Sequence, residues 1–211
     1  MELLNNRFRI IKRLNQNNLF TSYLVNDLWE DNIVIQLNIL NPLNVSKSII
    51  DYYSDEFLGF INYNNDYIVN NHNFNVVSYI DNKKVNKEQY FYTCEYIDES
   101  IHLLDYIKNK SVSEIIELFV ELCKIFHLIH IKGHVYESIN TNNIYIIKKD
   151  NNYFLKIKDI ATKELERRSY LAENYIIPFF VSPINYNSRK NDIYSLNALL
   201  LALLKEDCDF S

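Results

Sequence analysis

The sequence predicts an α+β fold in two parts: a strand-rich first half with one helix, then a helical second half with one small hairpin. Three observations lead there. Segments rich in β-branched and aromatic residues, parted by polar Asn clusters, fill most of the first 97 positions. Apolar residues then recur at helical spacing from Ile115 to Ile129, behind a Ser111/Glu114 start signal. A final apolar stretch, Asp192 to Lys205, is long enough for a buried helix.

Each element follows in order. Phe8 to Leu14, Thr21 to Asp27 and Asn32 to Leu40 read as strands. Lys47 to Phe60 spaces its apolar residues as a helix does. Tyr67 to Tyr79 and Gln89 to Tyr96 read as two more strands around the charged turn Asp81-Asn-Lys-Lys84. Ile101 to Lys108 is expected to be a short helix. The next helix opens on the Ser111/Glu114 capping box and ends at Gly133, a residue suited to termination. Ile144 to Ile147 and Phe154 to Ile157 flank Asp150-Asn-Asn152, a hairpin signal. No internal repeat or flexible linker interrupts this order. The expected organisation is one domain with an N-terminal part at 1–97 and a C-terminal part at 98–211.

Composition removes several function classes. With 48% hydrophobic and 23% charged residues, the chain can bury a core. A net charge of −5 argues against a general nucleic-acid partner. The longest apolar run, Ile193 to Leu204, is broken by Ser195 and Asn197 and falls short of the roughly 20 residues a membrane span needs. Three cysteines at wide spacings fit neither a disulfide framework nor a zinc site, so a cytoplasmic location is expected. Gly59 and Gly133 are the only glycines, which excludes a phosphate loop of the P-loop or dinucleotide type.

The densest chemical signal runs from Gly133 to Asp159. It reads Gly-His-Val-Tyr-Glu-Ser-Ile-Asn-Thr-Asn-Asn-Ile-Tyr-Ile, a polar turn, then Leu-Lys-Ile-Lys-Asp-Ile-Ala. This stretch resembles the catalytic loop and metal-binding turn of eukaryotic-type (Ser/Thr) protein kinases, G-x-V-H-R-D-L-K-P-x-N-I followed by a hairpin and D-F-G. Asn191-Asp-Ile-Tyr-Ser-Leu-Asn197 and Val181-Ser-Pro-Ile184 resemble later signatures of the same family. The resemblance covers nearly the whole chain. It implies a two-lobed kinase-like fold with a truncated or reduced C-terminal lobe.

The resemblance also assigns roles, position by position. Ile33-Val-Ile-Gln36 stands where the family has V-A-I-K, so Gln36 replaces the lysine that grips the α and β phosphates. Glu56 is the counterpart of the helix carboxylate that pairs with that lysine. Glu95 to Ile97 would offer hinge backbone groups to an adenine, with Cys94 at the gatekeeper position. Ser138 stands at the catalytic Asp, and a neutral hydroxyl is a poor base near neutral pH. Glu137 is a carboxylate beside it, and Asn140 replaces the loop lysine. Asn143 and Asp159 match the residues that hold magnesium. Asn15, Asn17 and Phe20 stand about where the glycines of the phosphate-covering loop belong.

A kinase frame with altered chemistry implies a pseudokinase that acts as a regulatory or interaction module in signalling. ATP and magnesium would bind weakly or not at all. The partners would be a protein or neighbouring domains of the same chain. Kinase-like domains of this AT-rich, bacterial style commonly open longer sensor proteins, so a bacterial multidomain parent is expected by analogy. Two alternatives stay open: an atypical active Ser/Thr kinase using Asn143 and Asp159, and an interaction domain with no nucleotide role.

Overall fold

The computed structural model of the chain describes residues 3–4, 6–16, 20–41, 50–51, 54–55, 57, 65–80, 86–98, 100–136, 139, 141–149, 152–158 and 188–205. Contacts group these residues into two compact units. One takes the described residues up to 65 and from 69 to 97. The other takes residues 66–68 and the described residues from 98 onward.

The first unit is an antiparallel sheet. Its strands are β1 (Leu3–Leu4), β2 (Phe8–Gln16), β3 (Phe20–Asp27), β4 (Ile33–Leu40), β5 (Asn71–Ile80) and β6 (Asn86–Glu95). They lie in the order β1-β2-β3-β4-β6-β5. The period-2 geometry of strands divides their side chains between two faces. One face gathers Phe8, Val25, Ile35, Leu37, Ile39 and Phe91 into a buried cluster, with the Phe8 and Phe91 rings edge to face at 5.6 Å. The other face carries Phe20 and Tyr92, whose rings meet at 5.3 Å. Ile50, Asp51, Ser54, Asp55 and Phe57 are helical, as the apolar spacing of 47–60 predicts. Phe57 is fully buried and packs 5.3 Å from Tyr92 and 5.7 Å from Phe74, an aromatic contact between this helix and the sheet.

The β3–β4 connection is fixed by a charge pair. Asp27 is buried, and Arg7 Nε donates to its Oδ1 at 2.8 Å. The same Oδ1 accepts from the Trp29 amide at 3.1 Å, and the Arg7 guanidinium lies 4.8 Å from the Phe8 ring and 5.2 Å from the Trp29 ring. The hydrogen bond to Asp27 raises the Arg7 pKa above its ordinary value, against the effect of burial. Asp31 and Asn32 take positive φ values of 49° and 58° at this turn, a shape that Asp and Asn tolerate better than other side chains.

The second unit holds β7 (Ser100–His102), α1 (Leu103–Ile107), α2 (Val112–Ile131), β8 (Ile144–Lys149), β9 (Asn152–Ile157) and α3 (Arg189–Leu204). β7, β8 and β9 form a small sheet in that order. The capping box that opens α2 is complete: Ser111 accepts from the Glu114 amide at 3.3 Å, and Glu114 accepts from the Ser111 amide at 2.8 Å. Gly133 follows the helix at φ 86°, and its N–H donates to the His130 carbonyl at 3.1 Å. Leu122, Ile125, Phe126 and Ile129 of α2 are buried, as are Leu196, Leu199 and Leu203 of α3, and the two helices pack together. No described helix is long and apolar enough to cross a membrane.

Two sequence-based boundaries need correction. The expected helix over Ile101 to Lys108 begins at Leu103 instead, because Ser100–His102 pairs with β8 and the extended backbone of His102 ends the strand. The expected strand from Tyr67 starts at Asn71. Ile68 instead makes a parallel bridge to Ile157, whose N–H donates to the Tyr67 carbonyl at 2.9 Å. Strand propensity was present in both places, and the available pairing partners decided its use. The turn at 81–84 lies outside the described residues.

Asp27→Ala is expected to destabilise the chain by about 3 kcal/mol, because it leaves a half-buried guanidinium without its carboxylate. Urea denaturation of wild type and variant measures this directly. Lys110 and Ser111 hold the Glu114 carboxyl down to about 2, below its ordinary 4.5. A depressed carboxylate pKa stabilises the folded state above the unfolded value, and that contribution fades as pH falls towards 2. Carboxyl-carbon NMR titration should therefore place the Glu114 midpoint well below the ordinary value, and Lys110→Ala should raise it.

Candidate functional site

Gln36 and Asn38 alternate along β4 and so share one face of the sheet. Strand pairing sets Gln36 opposite Leu24 and Cys94, and Asn38 opposite Ser22 and Tyr92. The result is a buried, entirely neutral network. Gln36 Nε2 donates to Asn38 Oδ1 at 2.8 Å, and Ser22 Oγ donates to the same oxygen at 2.6 Å. Asn38 Nδ2 donates in turn to Cys94 Sγ at 3.5 Å. The amide of Gln36 is thus engaged by its own strand. Asn38 and Ser22 were not assigned a role from sequence; the signal available was two polar side chains, at 36 and 38, two positions apart in an otherwise apolar strand.

Glu95 ends β6, opposite Ile35, and its carboxylate accepts from the Asn70 amide at 3.2 Å. The Glu95 amide donates to the Asn70 carbonyl at 2.8 Å, so Asn70 and Glu95 close a small ring of hydrogen bonds. Ile97 follows the strand, half-buried. Glu56 lies outside the described residues.

In the second unit, Asn143 closes a short 3-10 turn, Thr141–Asn143, that leads into β8. It is buried, and its carbonyl accepts from the Lys158 amide at 2.9 Å. The β8–β9 register, with Ile144 opposite Ile157, thereby brings Asn143 beside the residue that precedes Asp159 in sequence. Asp159, Glu137, Ser138 and Asn140 lie outside the described residues, as do Ala161 and Val181 to Ile184.

The loop before Asn143 is anchored by α3. Asp192 is completely buried, and its Oδ2 accepts from the Tyr136 amide at 2.9 Å. The same oxygen lies 2.6 Å from His130 Nε2 of α2. Arg189, one turn earlier on α3, donates to the His130 carbonyl at 2.6 Å. Tyr136 Oη donates to the Lys158 carbonyl at 3.3 Å, and its ring meets Phe126 edge to face at 5.5 Å. Tyr136 therefore ties the loop to both α3 and the end of β9. His130 was not singled out from sequence. Its signal was a polar side chain four residues beyond Phe126, on the edge of the buried helical stripe.

Comparison with known proteins fits this arrangement. No protein-family model matches the chain. A probable serine/threonine-protein kinase, nek3 of Dictyostelium discoideum, is 29% identical over 106 residues, which is 46% of this chain. The chain spans only 9% of that relative's length. The solved kinase domain of Mycobacterium tuberculosis PknI superposes with a TM-score of 0.68 at 13% identity, covering 98% of this chain and 79% of that domain. The chain has a protein-kinase-like, two-lobed fold, with a β-sheet N-lobe and few helices.

Asp192→Ala should cost about 3 kcal/mol, since it strands a buried amide and the His130 ring together. Asp192→Asn keeps the shape, and amide hydrogen exchange at Tyr136 should still accelerate, because a neutral acceptor holds an N–H less tightly than a carboxylate. Unchanged exchange in both variants would show that the Asp192–Tyr136 bond does not anchor the loop.

Proposed function

We propose that the chain is a catalytically impaired protein kinase-like domain that serves as a regulatory or interaction module. The observation that carries this reading is the state of Gln36. At the position of the phosphate-gripping lysine stands a neutral amide, buried and already donating to Asn38. A triphosphate would meet no charge there, and binding through this side chain would break a buried hydrogen bond. These residues do not fit the phosphates of ATP as the family's lysine does. Ser138 for the base and Asn140 for the loop lysine point the same way. Phosphoryl transfer depends on positioning and electrostatic stabilisation, and losing one such contact removes about 3 kcal/mol of transition-state stabilisation.

Asn143 and Asp159 favour a second reading, an atypical Ser/Thr kinase, since both magnesium-holding residue types are retained. Two measurements separate the readings. A thermal-shift titration with ATP and magnesium should show little or no stabilisation; binding at micromolar concentration or tighter would favour the kinase. In a phosphotransfer assay with radiolabelled ATP and a generic protein substrate, the wild type should show no incorporation. Ser138→Asp should not restore it, because Gln36 and Asn140 remain. Robust incorporation by the wild type that disappears in Asp159→Ala would refute the proposal.

A further inference from the structure

β5 ends the sheet of the first unit, and among the described residues no strand pairs with its outer side. The edge is long and regular. Its 10 residues, Asn71–Ile80, run antiparallel to β6 with one bulge between Asn71 and Asn73. The stretch Asn-His-Asn-Phe-Asn-Val-Val-Ser-Tyr-Ile holds no Asp, Glu, Lys, Arg or Pro. Those are the residues that commonly keep an edge strand from pairing with another chain. The opposite edge is built differently. There β1 is only 2 residues long, and β2 beside it carries Arg9, Lys12 and Arg13.

One hydrogen bond fixes which backbone groups of β5 face outward. The exposed Val76 N–H donates to Asn75 Oδ1 at 2.8 Å, the side chain of its own neighbour, and so stands apart from the β6 ladder. In an antiparallel pair the N–H and C=O of one residue point to the same side, and the side alternates along the strand. Val76, Ser78 and Ile80 therefore turn their backbone groups away from β6. Phe74 and Val76, opposite Tyr92 and Tyr90, lie on the sheet face that packs Phe57. Val76 itself is 43% exposed.

We propose that the outer edge of β5 pairs antiparallel with β5 of a second copy of this chain, about a two-fold axis through Val77. In that register Val76 of one copy stands opposite Ser78 of the other and exchanges both hydrogen bonds with it. The two Val77 residues stand opposite each other as a pair without hydrogen bonds. Each copy supplies the same uncharged strand, so the contact is self-complementary. The chain carries −5 overall, and an uncharged strand spares two copies a direct meeting of like charges. Pairing uses the long edge of both copies and leaves only the short β1 edges outside. The inference rests on the sheet edge alone and is independent of whether phosphoryl transfer has been lost.

Sedimentation velocity of the full chain across the micromolar range tests this. A monomer–dimer equilibrium that stops at the dimer is expected. Val76→Lys with Ser78→Lys sets lysine against lysine across the axis and should weaken dimerisation about tenfold or more. Val76→Pro removes an outward N–H while sparing the β6 ladder, and should weaken it too. Ile116→Lys with Val120→Lys makes the same charge change on the exposed face of α2 and should leave dimerisation within about twofold. Circular-dichroism melts establish that each variant is folded. Opposed residues of this kind lie about 4.5 Å apart at Cα, within disulfide reach. Val77→Cys, combined with Cys123→Ser and Cys208→Ser, should therefore oxidise to a cross-linked dimer, whereas Ile33→Cys in the same background should not. That comparison keeps the test decisive if a lysine or proline variant unfolds. A chain that stays monomeric at high micromolar concentration, equal weakening by both lysine pairs, or equal cross-linking at positions 77 and 33 would each overturn the proposal. So would capture of a labelled peptide of residues 73–80 by a chain that itself stays monomeric, which would assign the edge to the strand of a different partner.

Discussion

A single buried carboxylate organises the second unit. Asp192 is sealed from solvent at the start of α3, where an unpaired charge would be severely destabilising. It is tolerated because its Oδ2 meets the Tyr136 amide and His130 Nε2 together. Those two partners belong to the loop after α2 and to α2 itself, so satisfying one charge fixes three pieces of backbone. Tyr136, held at its amide, then reaches the Lys158 carbonyl with its hydroxyl. The order of the Asn143 turn and of the end of β9 follows from that chain of contacts.

The first unit combines a charged and a neutral solution. Buried Asp27 is paired with Arg7, while the separate cluster of Ser22, Gln36, Asn38 and Cys94 is joined by hydrogen bonds between uncharged side chains. A lysine at position 36 would bring a desolvation cost that a neighbouring carboxylate must offset. Gln36 carries no such cost, and its amide finds an acceptor two residues along the same strand. On the reading proposed above, the residue that offers phosphate no charge also gives the sheet a self-contained polar cluster.

Much of the element order was legible because it rests on local pattern. The β-branched and aromatic runs of β3 and β4, the capping box at Ser111 and Glu114 and the terminator at Gly133 all act within a few residues, and each is present in the fold. Ile101 and His102 read as helix from sequence, whereas their strand pairing depends on β8, more than forty positions away. Tyr67 to Asn70 was misread as strand for the converse reason. Its residues suit a strand, yet Ile68 makes only an isolated bridge, to Ile157, and Asn70 bonds to Glu95 outside a strand ladder.

The sequence by itself determined the identities on which the proposed reading rests: glutamine at 36, serine at 138, asparagine at 143 and aspartate at 159. It also determined that only two glycines, Gly59 and Gly133, are present, too few for a glycine-rich loop. What only the tertiary structure decided is how the retained polar groups are used. Nothing in the order of residues places His130 and Tyr136 on one oxygen of Asp192, or Ser22 and Gln36 on one oxygen of Asn38. Those groupings arise from strand register and helix packing, which join residues far apart in sequence. Local pattern carries no record of which distant group will satisfy a buried donor.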